Sequence, residues 1–278
     1  MEEARVAVLE GRSLRKHASS AWRVTHRIGL QEAVVVVVSF LIYFTIRGSV
    51  VDRAGEAMVR GFAVISFEQR LGFNWELRMQ SWIIDSYFLI RAMNWIYFWA
   101  HMPLIVVLAV WLYIRHRSTY FLARNAFLAS GAIGVVIYAL FPVAPPRLIP
   151  FGGFVDTMAV FDKVGYQAEG LKAFVNPFAA IPSLHFGWSL LMGLMVMKVQ
   201  RNPAAWTFGI AWPVLMFFSV VTTGNHFIID AVLGGIVAMA GLLIAFAIER
   251  YLPAARSRMW TTGRDAGLPE TSVTVHEP

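Results

Sequence analysis

The sequence predicts an all-α fold, a bundle of six transmembrane helices with an amphipathic helical segment on the extracytoplasmic side. Three observations carry that prediction. Hydrophobic residues make up 58% of the 278-residue chain and charged residues only 15%, too little polar surface for a soluble domain of this size. Apolar stretches of bilayer-crossing length, about 17–25 residues, recur along the chain. Most basic residues then fall on one side of a six-span layout, which the positive-inside rule makes the cytoplasmic side.

The elements follow in order. Residues 1–30 are polar and basic, with Arg12, Arg15, Lys16, Arg23 and Arg27, and form a cytoplasmic N-terminal segment without a cleavable signal peptide. The membrane domain is expected over 31–250. Its first span covers about 31–47 around the run Val34 to Val38. Residues 52–80 place Met58, Phe62 and Ile65 on one helical face and Arg53, Glu56 and Arg60 on another, the pattern of helix lying at the membrane surface.

The stretch 82–114 is read as one long helix. A hairpin broken at His101-Met102-Pro103 would send the two basic termini to opposite sides of the membrane. Further spans are expected at about 119–141, 183–199, 204–222 and 226–249, with an extracytoplasmic Pro/Gly-rich loop at 142–181. Trp75, Trp82, Trp111 and Trp260 fall near predicted boundaries. Residues 251–278 lack apolar period and are read as a disordered cytoplasmic tail. The net charge of +7 is assigned to cytoplasmic ends and anionic lipid rather than to nucleic acid. With no cysteine, thiol chemistry is excluded.

In this layout three polar clusters face the same side: Pro142 to Arg147, Asn176 to His185, and Thr222 to Asp230. His226 and Asp230 are four residues apart, so on a helix the carboxylate can reach Nδ1–H and leave Nε2 as a lone pair, the form a nucleophile or base requires. The alternative is a buried pair that only ties helices together. Pro182 and Ser183 read as a helix start, with Ser183 capping free amides. His185 there could protonate a leaving oxygen, or be a plain interfacial histidine. Arg147 can grip phosphate oxygens, or snorkel to lipid.

At these residues the chain resembles the type 2 phosphatidic acid phosphatase superfamily. The counterparts of that family's three motifs are Phe141-Pro-Val-Ala-Pro-Pro-Arg147, Pro182-Ser-Leu-His185 and Gly224-Asn-His226-Phe-Ile-Ile-Asp230. The wording Asn176-Pro-Phe-Ala-Ala-Ile-Pro-Ser-Leu-His185 is similar to the branch containing inositol phosphorylceramide synthases and many actinobacterial membrane proteins. The plasma membrane is the expected location, and the resemblance implies a metal-free and cofactor-free covalent mechanism. His226 would form a phosphohistidine, Asp230 would orient it and His185 would protonate the leaving alcohol. Arg147, Ser183 and Asn225 would hold the substrate, and water or a second alcohol would release the phosphoryl group. Three departures stand out: the third-motif arginine falls near the apolar Val220, Leu184 replaces a glycine, and the first motif lacks its early lysine.

Asn94, Tyr97 and His101 form a stripe expected to bond neighbouring helices. His101 should lie roughly 28 Å from Trp82 on a straight helix, far from the site. Arg91 is expected inside the membrane with a partner. Glu68, Glu76 and Asp85 could contact a substrate headgroup but are read as solvated charge, and Gly234 and Gly235 as packing glycines. The function expected is a lipid phosphatase or phosphotransferase acting at the extracytoplasmic face on a lipid phosphate, with water or a polyol such as inositol as acceptor. The competing readings are a non-enzymatic lipid-binding or transport protein and a zinc site at His185, His226 and Asp230.

Overall fold

The computed structural model describes residues 29–43, 45, 53–150, 152–162 and 177–251. The basic N-terminal segment, the C-terminal tail beyond Tyr251, Asn176 and Trp260 lie outside them. The described residues are helical, apart from loops and one isolated parallel bridge between Val143 and Ala179. Two compact units divide the chain, and Phe40–Arg250 is the one that holds everything described below except the start of the first helix and Tyr251.

Apolar helices occur at each of the six predicted places. Four are long and apolar enough to cross a membrane: α4 (Tyr87–Arg115), α5 (Arg117–Leu140), α7 (Pro203–Thr222) and α8 (Ile228–Tyr251). Two are shorter, α1 (Gly29–Tyr43) and α6 (Leu184–Val199). The chain is therefore a multi-pass helical membrane protein with four spans of full length. Their outer faces fit this: Val106, Val107, Ile114, Leu140, Ile210 and Leu243 are all more than half exposed, which only lipid would solvate without cost.

The segment 52–80, expected as interfacial helices, folds as α2 (Ala54–Leu71) and α3 (Glu76–Ser81). Gly72 ends α2 in the left-handed region at φ 78°, the usual glycine stop. Met58 and Ile65, on the face expected to lie on the membrane surface, pack instead against the buried cluster that includes Val143, Ile149 and Phe227. Phe62, expected beside them, is 43% exposed; Ala57, Gly61 and Glu68 take the inner face instead. Arg53 and Arg60 both pair with Glu56 on the other face.

α4 is continuous through His101-Met102-Pro103, so there is no hairpin. Its turn Ile96–Ala100 is π-helical. Pro103 explains it: proline has no N–H for the Trp99 carbonyl, and a widened turn absorbs the missing bond. The helix also starts five residues later than predicted, after a turn capped by the Ser86 hydroxyl, which accepts from Leu89 N–H at 3.4 Å. Arg91 therefore lies near the helix start rather than deep in the span, is exposed, and donates to the Tyr87 hydroxyl at 3.2 Å.

The first turns of α6 and α8 meet where Gly234 lies against the Ser183 backbone and Gly187 against Gly234. A side chain at either glycine would drive the helices apart, so Gly234 has the packing role expected of it. Gly235 is in ordinary contact only.

Candidate active site

The three polar clusters converge through main-chain bonds. Val143 N–H donates to the Phe178 carbonyl at 2.8 Å, and Ala180 N–H returns to Val143 at 3.3 Å. Arg147 N–H donates to the Gly224 carbonyl at 2.9 Å, and Ser183 N–H to the Asp230 carbonyl at 2.9 Å. The loop after α5, the start of α6 and the start of α8 therefore form one unit.

His226 sits just before α8, with 4% of its surface exposed. Its Nδ1 lies 2.8 Å from the Ala180 carbonyl oxygen and 3.3 Å from Asp230 Oδ2. A carbonyl can only accept, so Nδ1 carries the hydrogen and Nε2 of the neutral ring presents its lone pair. Four-residue spacing anticipates the Asp230 contact. Nothing in the sequence points to Ala180, whose shorter bond decides the tautomer. Asp230 is fully buried, and the same Oδ2 accepts from Phe227 N–H at 2.9 Å.

His185 lies one residue inside α6, its ring centre 6.1 Å from that of His226. The two imidazoles line one cleft together with Tyr43, His101, Met102, Tyr138, Ala179, Leu184 and Trp188. Tyr97 lies tilted by 34° against His185 at 4.4 Å between centroids and 6.4 Å from His226. His101 is 4.9 Å from His185. This corrects the expectation that His101 lies far from the site. That expectation measures along a straight helix beginning at Trp82, whereas α4 begins later and the histidines lie level with its second half. Asn94 exchanges hydrogen bonds with Thr157, and His101 meets the Ser189 hydroxyl on α6 at 3.4 Å, the helix-to-helix bond expected of the stripe.

Ser183 occupies the N-cap position of α6, but its hydroxyl makes no cap bond. It is fully buried without a hydrogen-bond partner among the described residues, which corrects the capping role predicted for it. Arg147 donates from Nε to Asn225 Oδ1 at 2.9 Å and pairs through NH1 with Asp156 Oδ2 at 2.8 Å. Asp156 lies in the loop, where no pattern marks it. Gly224, at φ 69°, lets the chain turn beneath Arg147, whose Cβ would be 3.2 Å from a side chain placed there.

Glu68 and Glu76 are not solvated. Both are buried, and Glu76 accepts from Ile228 N–H and Glu68 from Ile229 N–H, each at 3.0 Å. With Asp230 on Phe227, three carboxylates close three successive amides at the start of α8, where free N–H groups and the helix dipole favour negative charge. Glu68 is pushed up to about 9, first by burial and then by the neighbouring Glu76 carboxylate, so it stays protonated near neutral pH. Asp85 is exposed as expected. Among the described residues no three His, Asp or Glu side chains are gathered as metal ligands would be.

The sequence pattern of the PAP2 superfamily matches residues 63–245, which span α2 through most of α8 and contain every residue of this unit. The chain belongs to the PAP2 superfamily. It is also similar to phosphoinositol dihydroceramide synthase of Bacteroides thetaiotaomicron, 28% identical over 170 residues. That match covers 52% of this chain and 51% of the relative, so the chain spans about half the length of the curated relative it matches. No solved structure matches. Against the PAP2 motifs, Val220 is fully buried in an apolar cluster with Met79, Tyr97, Met158, Met216 and Val221, leaving no room for a cation there. Leu184 is likewise buried.

Proposed function

We propose that this PAP2 protein transfers the phosphoryl group of a lipid phosphate through a phosphohistidine on His226. The observation that carries the reading is the Nδ1–H bond of His226 to the Ala180 carbonyl and Asp230, which leaves Nε2 ready to attack 6.1 Å, centre to centre, from a second imidazole. Nε2 attacks phosphorus, the P–N bond forms as the P–O bond to the lipid alcohol breaks, and His185 gives that oxygen its proton. Water or an alcohol then attacks phosphorus, gives its proton to His185, and the P–N electron pair returns to Nε2. Asp230 steadies the positive ring that forms in between. Arg147 and Asn225, joined beside His226, take phosphate oxygens on the loop side, and Ser183 contributes its buried hydroxyl.

The acceptor has two readings. Water needs no dedicated site and makes the protein a phosphatase. The likeness to a phosphoinositol dihydroceramide synthase favours an alcohol such as a polyol. In this reading α1 and α6 complete six crossings of the plasma membrane, both termini are cytoplasmic and the histidine cleft opens extracytoplasmically, as the basic residues of the cytoplasmic loops favour. Residues 1–30, 31–250 and 251–278 are then the basic N-terminal segment, the catalytic domain and the cytoplasmic tail.

The test offers purified protein a panel of lipid phosphates and phosphodiesters, with and without inositol and other polyols. Phosphate release or headgroup transfer is followed alongside His226→Ala. Turnover that depends on His226 supports the reading. Turnover undiminished in the variant sinks the phosphohistidine mechanism, and lipid binding with no turnover on any member of the panel sinks the reading in favour of a lipid-binding protein.

A further inference from the structure

We propose that His101 is a substrate-contacting residue, holding one phosphoryl oxygen through Nε2–H in the cleft it shares with His185 and His226. The inference rests on the phosphoryl-transfer reading and names a ligand of its phosphate that no motif marks.

The first observation is burial without satisfaction. His101 has none of its surface exposed, yet its Nε2 has no hydrogen-bond partner among the described residues. Buried polar atoms are nearly always paired, and an orphan in an otherwise closed site calls for an explanation. The second is place. His101 lines the same cleft as His185 and His226, 4.9 Å from His185 between ring centres. The widened turn that ends at Ala100 sets its position, because Pro103 follows two residues later.

The third observation fixes which nitrogen carries hydrogen. Nδ1 lies 3.4 Å from the Ser189 hydroxyl, and this is the hydroxyl's partner. Ser189 is fully buried and makes no bond back to the carbonyl one turn earlier, the one Ser130 and Thr222 choose. Its proton therefore goes to Nδ1, and the ring hydrogen sits on Nε2. Nε2–H is then a donor with nothing to donate to, in a cleft that receives a group rich in acceptor oxygens.

The fourth is the absence of competitors. No lysine or arginine is among the described residues that line the cleft. Val220 leaves the α7 side apolar, and the Tyr138 hydroxyl is committed to the Pro182 carbonyl at 2.6 Å. A neutral N–H donor preorganised at charge that builds on a phosphoryl oxygen acts on the transition state more than on substrate binding.

Two substitutions separate this from a packing role. In His101→Gln the amide N–H falls near the Nε2 position and the donor survives. In His101→Asn the amide lies near Nδ1, where its oxygen can accept from the Ser189 hydroxyl, and the donor into the cleft is lost. Each full-length variant is assayed in detergent on the lipid phosphate that the unaltered protein turns over best, with orthovanadate inhibition and Tm recorded in parallel. For His101→Asn, kcat is expected to fall on the order of 100-fold with KM changed only a few-fold, the loss seen when one oxyanion donor is removed. Vanadate inhibition should weaken with it. His101→Gln should stay within about 10-fold of the unaltered protein on the same scale. Equal kcat values for the two variants, at whatever level, overturn the proposal, as does an Asn variant that keeps its turnover. If the unaltered protein shows no His226-dependent turnover, both the function and this inference fall; the other results touch His101 alone.

Discussion

The starts of α6 and α8 lie against each other and are built in opposite ways. α8 begins under three carboxylates, Asp230, Glu76 and Glu68, which close the amides of residues 227 to 229. α6 begins at a serine whose buried hydroxyl caps nothing. Both starts offer a positive dipole end, but only that of α6 is without a carboxylate. In the proposed reaction an anion drawn to this corner would find the amides of α8 already closed by side chains and those of α6 open, so that phosphate would rest beside His185 with His226 facing it. One helix start is finished as structure, and the proposed function keeps the other for a ligand.

Substitutions can break or sharpen this contrast. The largest effect is expected from His226→Ala, which removes the nucleophile and should lower turnover by about 10³-fold or more, measured as phosphate release from a lipid phosphate. Asp230→Asn comes next, at about 10- to 100-fold in kcat, the usual cost of losing a group that orients a reactive one. A larger loss would mean that the Ala180 carbonyl does not hold the tautomer by itself. Gly234→Val forces the two helix starts apart and should destabilise the protein by about 1–3 kcal/mol, read as a lowered Tm in detergent.

Glu68→Gln tests the filled end through pH. Glu68 is raised from 4.5 to about 9, so between those values the folded protein binds a proton that the unfolded chain releases, and stability falls as pH rises through that window. Above about 9 the loss is complete. A glutamine side chain keeps an oxygen for Ile229 N–H without the titration. The Tm of the variant should therefore depend less on pH and gain on the parent as pH rises toward about 9. An unchanged slope would show that Glu68 is ionised. Ser183→Ala should be the mildest, within about 0.5 kcal/mol in stability, because the hydroxyl makes no bond to lose. A large drop in Tm there would erase the distinction between the two ends.

What can be read from the chain follows the same division. His226 and Asp230 declare themselves because four residues is about one helical turn. The segments of residues 142–147 and 182–185 lie beside them through backbone bonds that the clustering of polar residues at span ends anticipates. Helix positions are legible from apolar runs alone. Depth is not: one proline and a late helix start move Tyr97 and His101 into the cleft although their stripe is visible. Glu68 and Glu76 mislead because a carboxylate in an amphipathic segment looks the same whether it meets water or caps a distant helix. Asp156 carries no pattern, since its partner Arg147 is fixed only when the loop folds.

The bond from His226 to Ala180 has a consequence for inheritance. Its acceptor is a peptide carbonyl, present whatever residue the codon specifies. The feature that sets the reactive form of the imidazole is thus beyond the reach of most point mutations, and only a change in the path of the chain can remove it. Lineages descending from this protein can drift at position 180 and exchange the carboxylate at 230 for something weaker while the ring still faces the same way.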